Sequence, residues 1–348
     1  MNKHKISFII CANGLGHFKR CIRVIGSILE VRNYNIDIIC QKWQRDVFCS
    51  TNLINHKNIN WHLNFMEPGV VWPPSFLDEN LIIWFRRIEH LLYNSNLIIS
   101  DNLTMPLKKY KNVVLMGSFL WSDVFEYAFP NNYNIKRFID LERSLLEENR
   151  PDMICIKDIA MDNVIKFTNA VKVPWMFENK SLNNKDNSIK KMKIGFLPGR
   201  KNIDKNIIRL AINLKANVDV DIFFPKYFID VLKGYNIKMA NVFRFSNEEF
   251  NQLDLILGRP GIGLITDCLK SNTFLLPIYE KNNLEMIHNS FIIEKNGWGS
   301  ELNGVYDVDY VLDVIKKLQS YNKKQFDNVT FGGQKIVRDF LINKVEKS

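Results

Sequence analysis

Residues 11–20 read Cys-Ala-Asn-Gly-Leu-Gly-His-Phe-Lys-Arg, between an apolar run at 6–12 and an amphipathic stretch at 17–31. That order predicts a strand, a tight turn and a helix. Gly14 and Gly16 let the backbone turn sharply and approach a ligand. The helix start then offers unpaired N–H groups to an anion or to developing negative charge. His17 ends the turn, at the sheet edge where open α/β folds bind ligands. An imidazole titrates near neutrality, so His17 can serve as a general base. Asp101 closes a second apolar run, Leu97-Ile98-Ile99-Ser100, and is expected at the same edge. A carboxylate beside His17 would orient the imidazole and stabilise its protonated form. The plainer readings are a histidine capping a helix start and an aspartate in a turn. Lys19 stands where the third glycine of Gly-x-Gly-x-x-Gly would fall, which counts against a dinucleotide-binding motif.

The second half carries a similar turn. Residues 253–263 run from an apolar strand through Gly258-Arg259-Pro260-Gly261-Ile262-Gly263. Gly261 and Gly263 free the backbone, Pro260 pre-sets a turn φ, and Arg259 can fork onto a phosphate. An earlier turn, Pro198-Gly199-Arg200-Lys201, follows the apolar run 192–197. Two basic, glycine-containing turns at one sheet edge suit a diphosphate. Either turn alone reads equally well as a solvated surface loop.

The elements that must hold these residues alternate in type. Strands are expected at 6–12, 36–40, 59–65, 97–100, 113–116, 151–156 and 171–177, with helices at 17–31 and 44–53. The pattern restarts with strands at 192–197, 218–224, 253–257 and 274–277 and helices at 203–215, 226–233 and 262–270. A last helix is expected at 334–345. Strands alternating with helices imply βαβ units, and continuously apolar strands imply burial on both faces. Residues 179–191, Asn-Lys-Ser-Leu-Asn-Asn-Lys-Asp-Asn-Ser-Ile-Lys-Lys, are polar and read as a linker. The expected domains are 1–178 and 192–348, joined by 179–191.

Composition narrows the classes. The chain has 348 residues, 46% hydrophobic and 24% charged, which fits a globular protein of one or two domains and excludes disorder. The six cysteines show no Cys-x-x-Cys, and the six histidines do not cluster, so no metal site and a reducing, cytoplasmic setting are expected. No segment is apolar enough to span a membrane or to form a signal-peptide core. The net charge of +10 is spread along a chain holding 41 asparagines. It suits an anionic small ligand or lipid headgroup better than nucleic acid.

Gly14-Leu15-Gly16-His17, together with the block from Asp254 through Gly258-Arg259-Pro260-Gly261, Thr266-Asp267 and Pro277 to Glu285 and Asn289, resembles the GT-B glycosyltransferases. The pattern is similar to the MurG-like inverting enzymes and to transferases that use UDP-sugars. The resemblance implies an α/β fold of two Rossmann-like domains with parallel sheets facing a cleft. The first domain would take the acceptor and the second the nucleotide-diphosphate sugar, UDP-sugar above all, with no further cofactor. The last helix would pack back on the first domain.

By the same resemblance, Gly199, Arg200, Arg259, Gly261 and Gly263 would meet the diphosphate. Asp267 would meet the ribose hydroxyls, Phe243 and Arg244 would border the base, and Glu285 and Asn289 would lie at the donor sugar. Gly14, Gly16 and Arg20 would lie on the acceptor side. His17 would deprotonate the acceptor, supported by Asp101, and the sugar would transfer with inversion and without metal. The setting implied is bacterial surface-glycan synthesis, with a glycan, lipid-linked or small-molecule acceptor. Three positions depart from the family pattern: Met286 in place of Gln, Asp267 in place of Glu, and Pro260, which lacks an N–H. The His17 turn with Arg20 also resembles PseG-like nucleotide-sugar hydrolases, and a GT-B protein that only binds nucleotide sugar is the third reading. Finally, the aromatic residues of 65–93 beside Arg86 and Arg87 could touch a membrane surface. A helix packed on the sheet explains them more simply.

Overall fold

The computed structural model describes residues 4–48, 51–63, 77–177, 191–199, 205–233, 240–301, 308–319 and 323–347. The chain forms two compact units, Met1–Glu178 with Phe331–Ser348, and Asn179–Thr330.

In the first unit the elements run β1 (Lys5–Ile9), α1 (Leu15–Leu29), β2 (Asn35–Cys40), α2 (Lys42–Phe48), α3 (Thr51–Ile54), β3 (Ile59–Leu63), α4 (Leu77–Ile88), β4 (Leu97–Asp101), β5 (Val113–Met116), α5 (Trp121–Ala128), α6 (Tyr133–Asn149), β6 (Asp152–Ile156), α7 (Asp162–Phe167) and β7 (Asn169–Val173). The sheet has seven strands in the order β3-β2-β1-β4-β5-β6-β7, every pair parallel. The order reverses beside β1: β2 and β3 go to one side, β4 to β7 to the other. Both faces are covered, which is why the strands are apolar without alternation. One core gathers Phe8, Phe18, Ile25 and Ile38, and the other gathers Ile98, Leu115, Phe125 and Phe138.

The second unit runs β8 (Met192–Leu197), α8 (Lys205–Asn217), β9 (Val220–Pro225), α9 (Lys226–Lys233), β10 (Ala240–Phe243), α10 (Asn247–Gln252), β11 (Leu255–Gly258), α11 (Ile262–Ser271), β12 (Phe274–Pro277), α12 (Leu284–Lys295) and α13 (Val308–Gln319). Its five parallel strands are ordered β10-β9-β8-β11-β12, so this sheet reverses between β8 and β11. The chain then re-enters the first unit. Phe331 bridges Trp175, the Gly333 N–H donates to the Trp175 carbonyl at 3.1 Å, and α14 (Gly333–Glu346) buries Val337, Leu341, Ile342 and Val345 in the core that holds α1.

Several boundaries move from the sequence reading, each for a local reason. The strand expected at 171–177 is Asn169–Val173, because Pro174 cannot donate to the ladder. The helix expected at 44–53 is two segments, α2 and α3. Val218, expected in a strand, instead donates its N–H to the Leu214 carbonyl and closes α8, so β9 starts at Val220. Most of the expected linker 179–191, together with Arg200, lies outside the described residues.

Candidate active site

The β1–α1 turn and the end of β4 lie on either side of the point where the first sheet reverses, the crevice position of doubly wound folds. Gly14 precedes α1 with φ +112°, a conformation that glycine adopts without strain, and nothing lies within 4 Å of where its Cβ would stand. Gln44, fully buried at the start of α2, clasps this turn by donating Nε2 to the Cys11 carbonyl at 2.9 Å and the Gly14 carbonyl at 3.0 Å.

His17 Nδ1 lies 3.1 Å from Asp101 Oδ2. Asp101 is fully buried and the His17 side chain is 11% exposed. Arg20, one helical turn beyond His17 and also buried, donates Nε to Asp101 Oδ1 at 3.0 Å and Nη2 to the Met116 carbonyl at 3.1 Å. Its Nη2 also meets Asp101 Oδ1. Burial pushes the Asp101 carboxyl up, but the charges of Arg20 and His17 and their hydrogen bonds outweigh it and hold the carboxyl below its usual range. Arg20 Nη2 also approaches His17 Nδ1, at 3.1 Å. A guanidinium only donates, so the tautomer that satisfies the carboxylate is Nδ1–H donating to Asp101. Nε2 then carries the lone pair. The sequence reading set Arg20 on the acceptor side, whereas its guanidinium is turned inward to Asp101.

The second unit repeats the placement. Leu197 and Gly258 are paired in register where its sheet reverses, so the turns after β8 and β11 are neighbours. The Arg259 N–H donates to the Leu197 carbonyl at 3.1 Å, and Arg259 Cδ lies 3.6 Å from where a Gly199 Cβ would be. Gly199 has φ +89°, and the space beside Gly261 at the start of α11 is open. Arg259, half-buried, has Nε 3.8 Å from Glu280 Oε2, a distance at which a surface pair contributes little. Gly263 lies in the first turn of α11 and Asp267 is buried further along that helix. Glu285 sits in the first turn of α12, half-buried.

Two of the expected donor-site residues hold the protein itself. Asn289, 2% exposed on α12, donates Nδ2 to the Pro260 carbonyl at 2.9 Å and so braces the glycine turn. Phe243 is buried against Phe245 and Phe250, each ring centroid 5.0 Å away. Phe245, at φ +62° and 40% exposed, is the aromatic that faces outward there, and Arg244 is exposed. The sequence reading missed Gln44 and Glu142. Gln44 gives no local signal, because its partners lie about 30 residues away. Glu142 did give one: it interrupts the apolar stripe Ile135, Phe138, Ile139, Leu145 and Leu146 of α6.

The fold is that of the GT-B glycosyltransferases. The glycotransferase of kitacinnamycin superposes with a TM-score of 0.73 at 10% identity, over 99% of this chain and all of its own. CalG4, the calicheamicin glycosyltransferase, gives 0.67 at 11% over 100% and 99%. LpCGTa in complex with UDP gives 0.66 at 12% over the whole of both chains. No protein-family model matches the chain, and no curated protein matches it in sequence.

Among the described residues no group of three or more His, Cys, Asp and Glu could hold a metal ion, and no helix is long and apolar enough to cross a membrane. Of the aromatic stretch 65–93, residues 64–76 lie outside the description. In α4, Leu81, Trp84 and Phe85 are buried and Arg86 and Arg87 are exposed, as in a helix packed on a sheet.

Proposed function

We infer that the protein is an inverting glycosyltransferase that moves a sugar from a nucleotide-diphosphate sugar, UDP-sugar by preference, to an acceptor hydroxyl. The observation that carries this is the His17–Asp101 pair at the reversal point of the first sheet in a GT-B fold. The first unit takes the acceptor and the second the donor. His17 Nε2 accepts the hydroxyl proton as the acceptor oxygen attacks the anomeric carbon from the face opposite the diphosphate. The new carbon–oxygen bond forms as the bond to the diphosphate breaks, so the configuration inverts. Asp101 fixes the tautomer and stabilises the imidazolium. Arg259 and the open backbone at Gly199 and Gly261 stabilise the departing diphosphate, with no metal called for. Asp267, within α11, adds selectivity for the ribose.

LpCGTa is described in complex with UDP, which supports a UDP donor for this fold. The setting that the family resemblance implies is bacterial surface-glycan assembly. The test is thermal stabilisation of the full chain by UDP, GDP and CDP, followed by release of the stabilising nucleotide from its sugar conjugates. Release that depends on an acceptor hydroxyl and is lost in His17→Ala supports transfer. Release to water alone at the same rate identifies a hydrolase.

A further inference from the structure

Gln44 is fully buried, and its amide is matched on both sides. Oε1 accepts from the Gln41 N–H at 3.1 Å, at the start of α2. Nε2 spends its two hydrogens on the Cys11 carbonyl at 2.9 Å and the Gly14 carbonyl at 3.0 Å. An amide has two donor hydrogens and one acceptor oxygen, so this arrangement uses its donors fully. Turning the amide over would set its oxygen against two carbonyls, so the partners fix its orientation.

The two carbonyls bracket the β1–α1 turn. Between them the Gly14 N–H donates to the Ala12 carbonyl at 2.9 Å and closes a three-residue turn centred on Asn13. One side chain therefore ties both ends of the turn. Packing does not do so at Gly14: its φ is +112°, and no atom lies within 4 Å of where its Cβ would stand. The helix that follows starts weakly. Its N-cap is Gly14, which has no side chain to accept from the first N–H groups, and its first turn holds no acidic residue. His17 is the third residue of that turn. Arg20 anchors α1 one turn further along, through Asp101 and the Met116 carbonyl. That anchor leaves the residues before it to be held from the other end.

We propose that Gln44 is a positioning residue for the general base: by clasping the Gly14 turn it holds the first turn of α1 where His17 Nδ1 meets Asp101, and so keeps Nε2 ready for the acceptor proton. This rests on the transferase reading. Without the clasp the first turn of α1 loosens while Arg20 keeps Asp101. The imidazole then loses the partner that sets its tautomer. A reacting group misplaced by about 1 Å costs about 10²-fold in rate, so a residue that touches no substrate can govern turnover.

The test uses the full chain with nitrogen-15 in its histidines, and NMR of the ring nitrogens reads each tautomer. His17 is the signal missing from His17→Ala. In the unaltered protein it should carry its proton on Nδ1. Gln44→Met, of similar length with nothing to donate, should move it toward the Nε2–H form. Gln44→Glu, which keeps an acceptor for the Gln41 N–H but loses the donors when ionised, should do the same. Gly14→Ala strains the turn with Gln44 intact and should also move the signal. Leu146→Ala opens a hole in the core on α6, so it should lower the melting temperature and leave the His17 signal unchanged. With the donor that nucleotide release identifies, Gln44→Met should lower kcat about 10- to 100-fold and leave KM within about twofold. In a His17→Ala background the same substitution should change kcat by less than about twofold, because its effect passes through the imidazole. An unmoved tautomer in all three turn variants, an equal shift in Leu146→Ala, or a full effect of Gln44→Met without His17 overturns the proposal. If no sugar conjugate releases its nucleotide, the transferase reading falls instead, and the tautomer still decides the role of Gln44.

Discussion

At the residue scale, the site is a buried carboxylate shared by two cationic or basic partners. Asp101 lies between His17 and Arg20 with no access to water. Arg20 neutralises a charge that would otherwise be costly to bury, and His17 takes the remaining oxygen for orientation. The two roles separate experimentally. His17→Ala should lower turnover by about 10²–10⁴, the scale of a lost general base, with nucleotide affinity unchanged, as read by steady-state kinetics and calorimetry. Arg20→Ala should act on stability first. Removing one partner of a buried pair leaves the other charge exposed to a poor medium and costs about 3–5 kcal/mol, which urea unfolding would show. An Arg20→Ala protein as stable as the parent would mean that Asp101 is protonated. Asp101 also sets an acid limit. Its carboxyl is held below its usual range in the fold, so its contribution is present above the ordinary carboxylate range and is lost as pH falls.

At the element scale, helices hold both glycine turns from outside the strand sequence. The α12 residue Asn289 reaches back to Pro260, and Gln44 on α2 reaches back to Cys11 and Gly14. Asn289→Ala should leave the Pro260 carbonyl without its partner, cost about 1–3 kcal/mol of stability and weaken UDP binding in calorimetry. If Asn289 touches the donor sugar only, UDP binding would be unaffected and UDP-sugar binding would fall. The α5–α6 pair has the opposite pH response from Asp101. Burial, against the opposing Ser122 N–H, raises the Glu142 carboxyl from 4.5 to about 7. Between these values the folded chain keeps a proton that the unfolded chain releases, so stability falls as pH rises through that window. The full loss, reached above pH 7, is about 3 kcal/mol at 1.36 kcal/mol per unit. Glu142→Gln should flatten the urea midpoint between pH 5 and 8 relative to the parent. Equal slopes would show that Glu142 is ionised throughout.

At the scale of the whole molecule, the C-terminal residues belong with the N-terminal unit. The chain leaves the first unit, builds the second and returns with α14 against α1. Limited proteolysis should cut first within 179–191, where the sequence is polar or charged at every position but Leu182 and Ile189. The two fragments should nonetheless co-elute under native conditions, because the second carries α14, whose Val337, Leu341, Ile342 and Val345 are buried in the first. Removing residues 331–348 should therefore destabilise the first unit and leave nucleotide binding by the second intact. Differential scanning calorimetry with and without UDP separates these outcomes. A truncated protein whose first unit melts unchanged would show that α14 adds nothing to it.

The alternation of apolar runs and amphipathic helices was sufficient to read two parallel α/β halves, because strands buried on both faces and helices buried on one leave different periodicities. The spans 192–197, 226–233 and 274–277 agree with the strands and helix found there. The two glycine turns were legible too, since glycine spacing is a local property of the backbone. The strand order was not. Only tertiary pairing placed β4 beside β1 and β11 beside β8, and so brought Asp101 to His17 across 84 residues and Gly199 to Arg259 across 60. Sequence likewise could not show that Arg20 turns inward or that Asn289 holds Pro260. Both depend on which buried polar group lacks a partner once the chain is packed, and that is decided by neighbours distant in sequence.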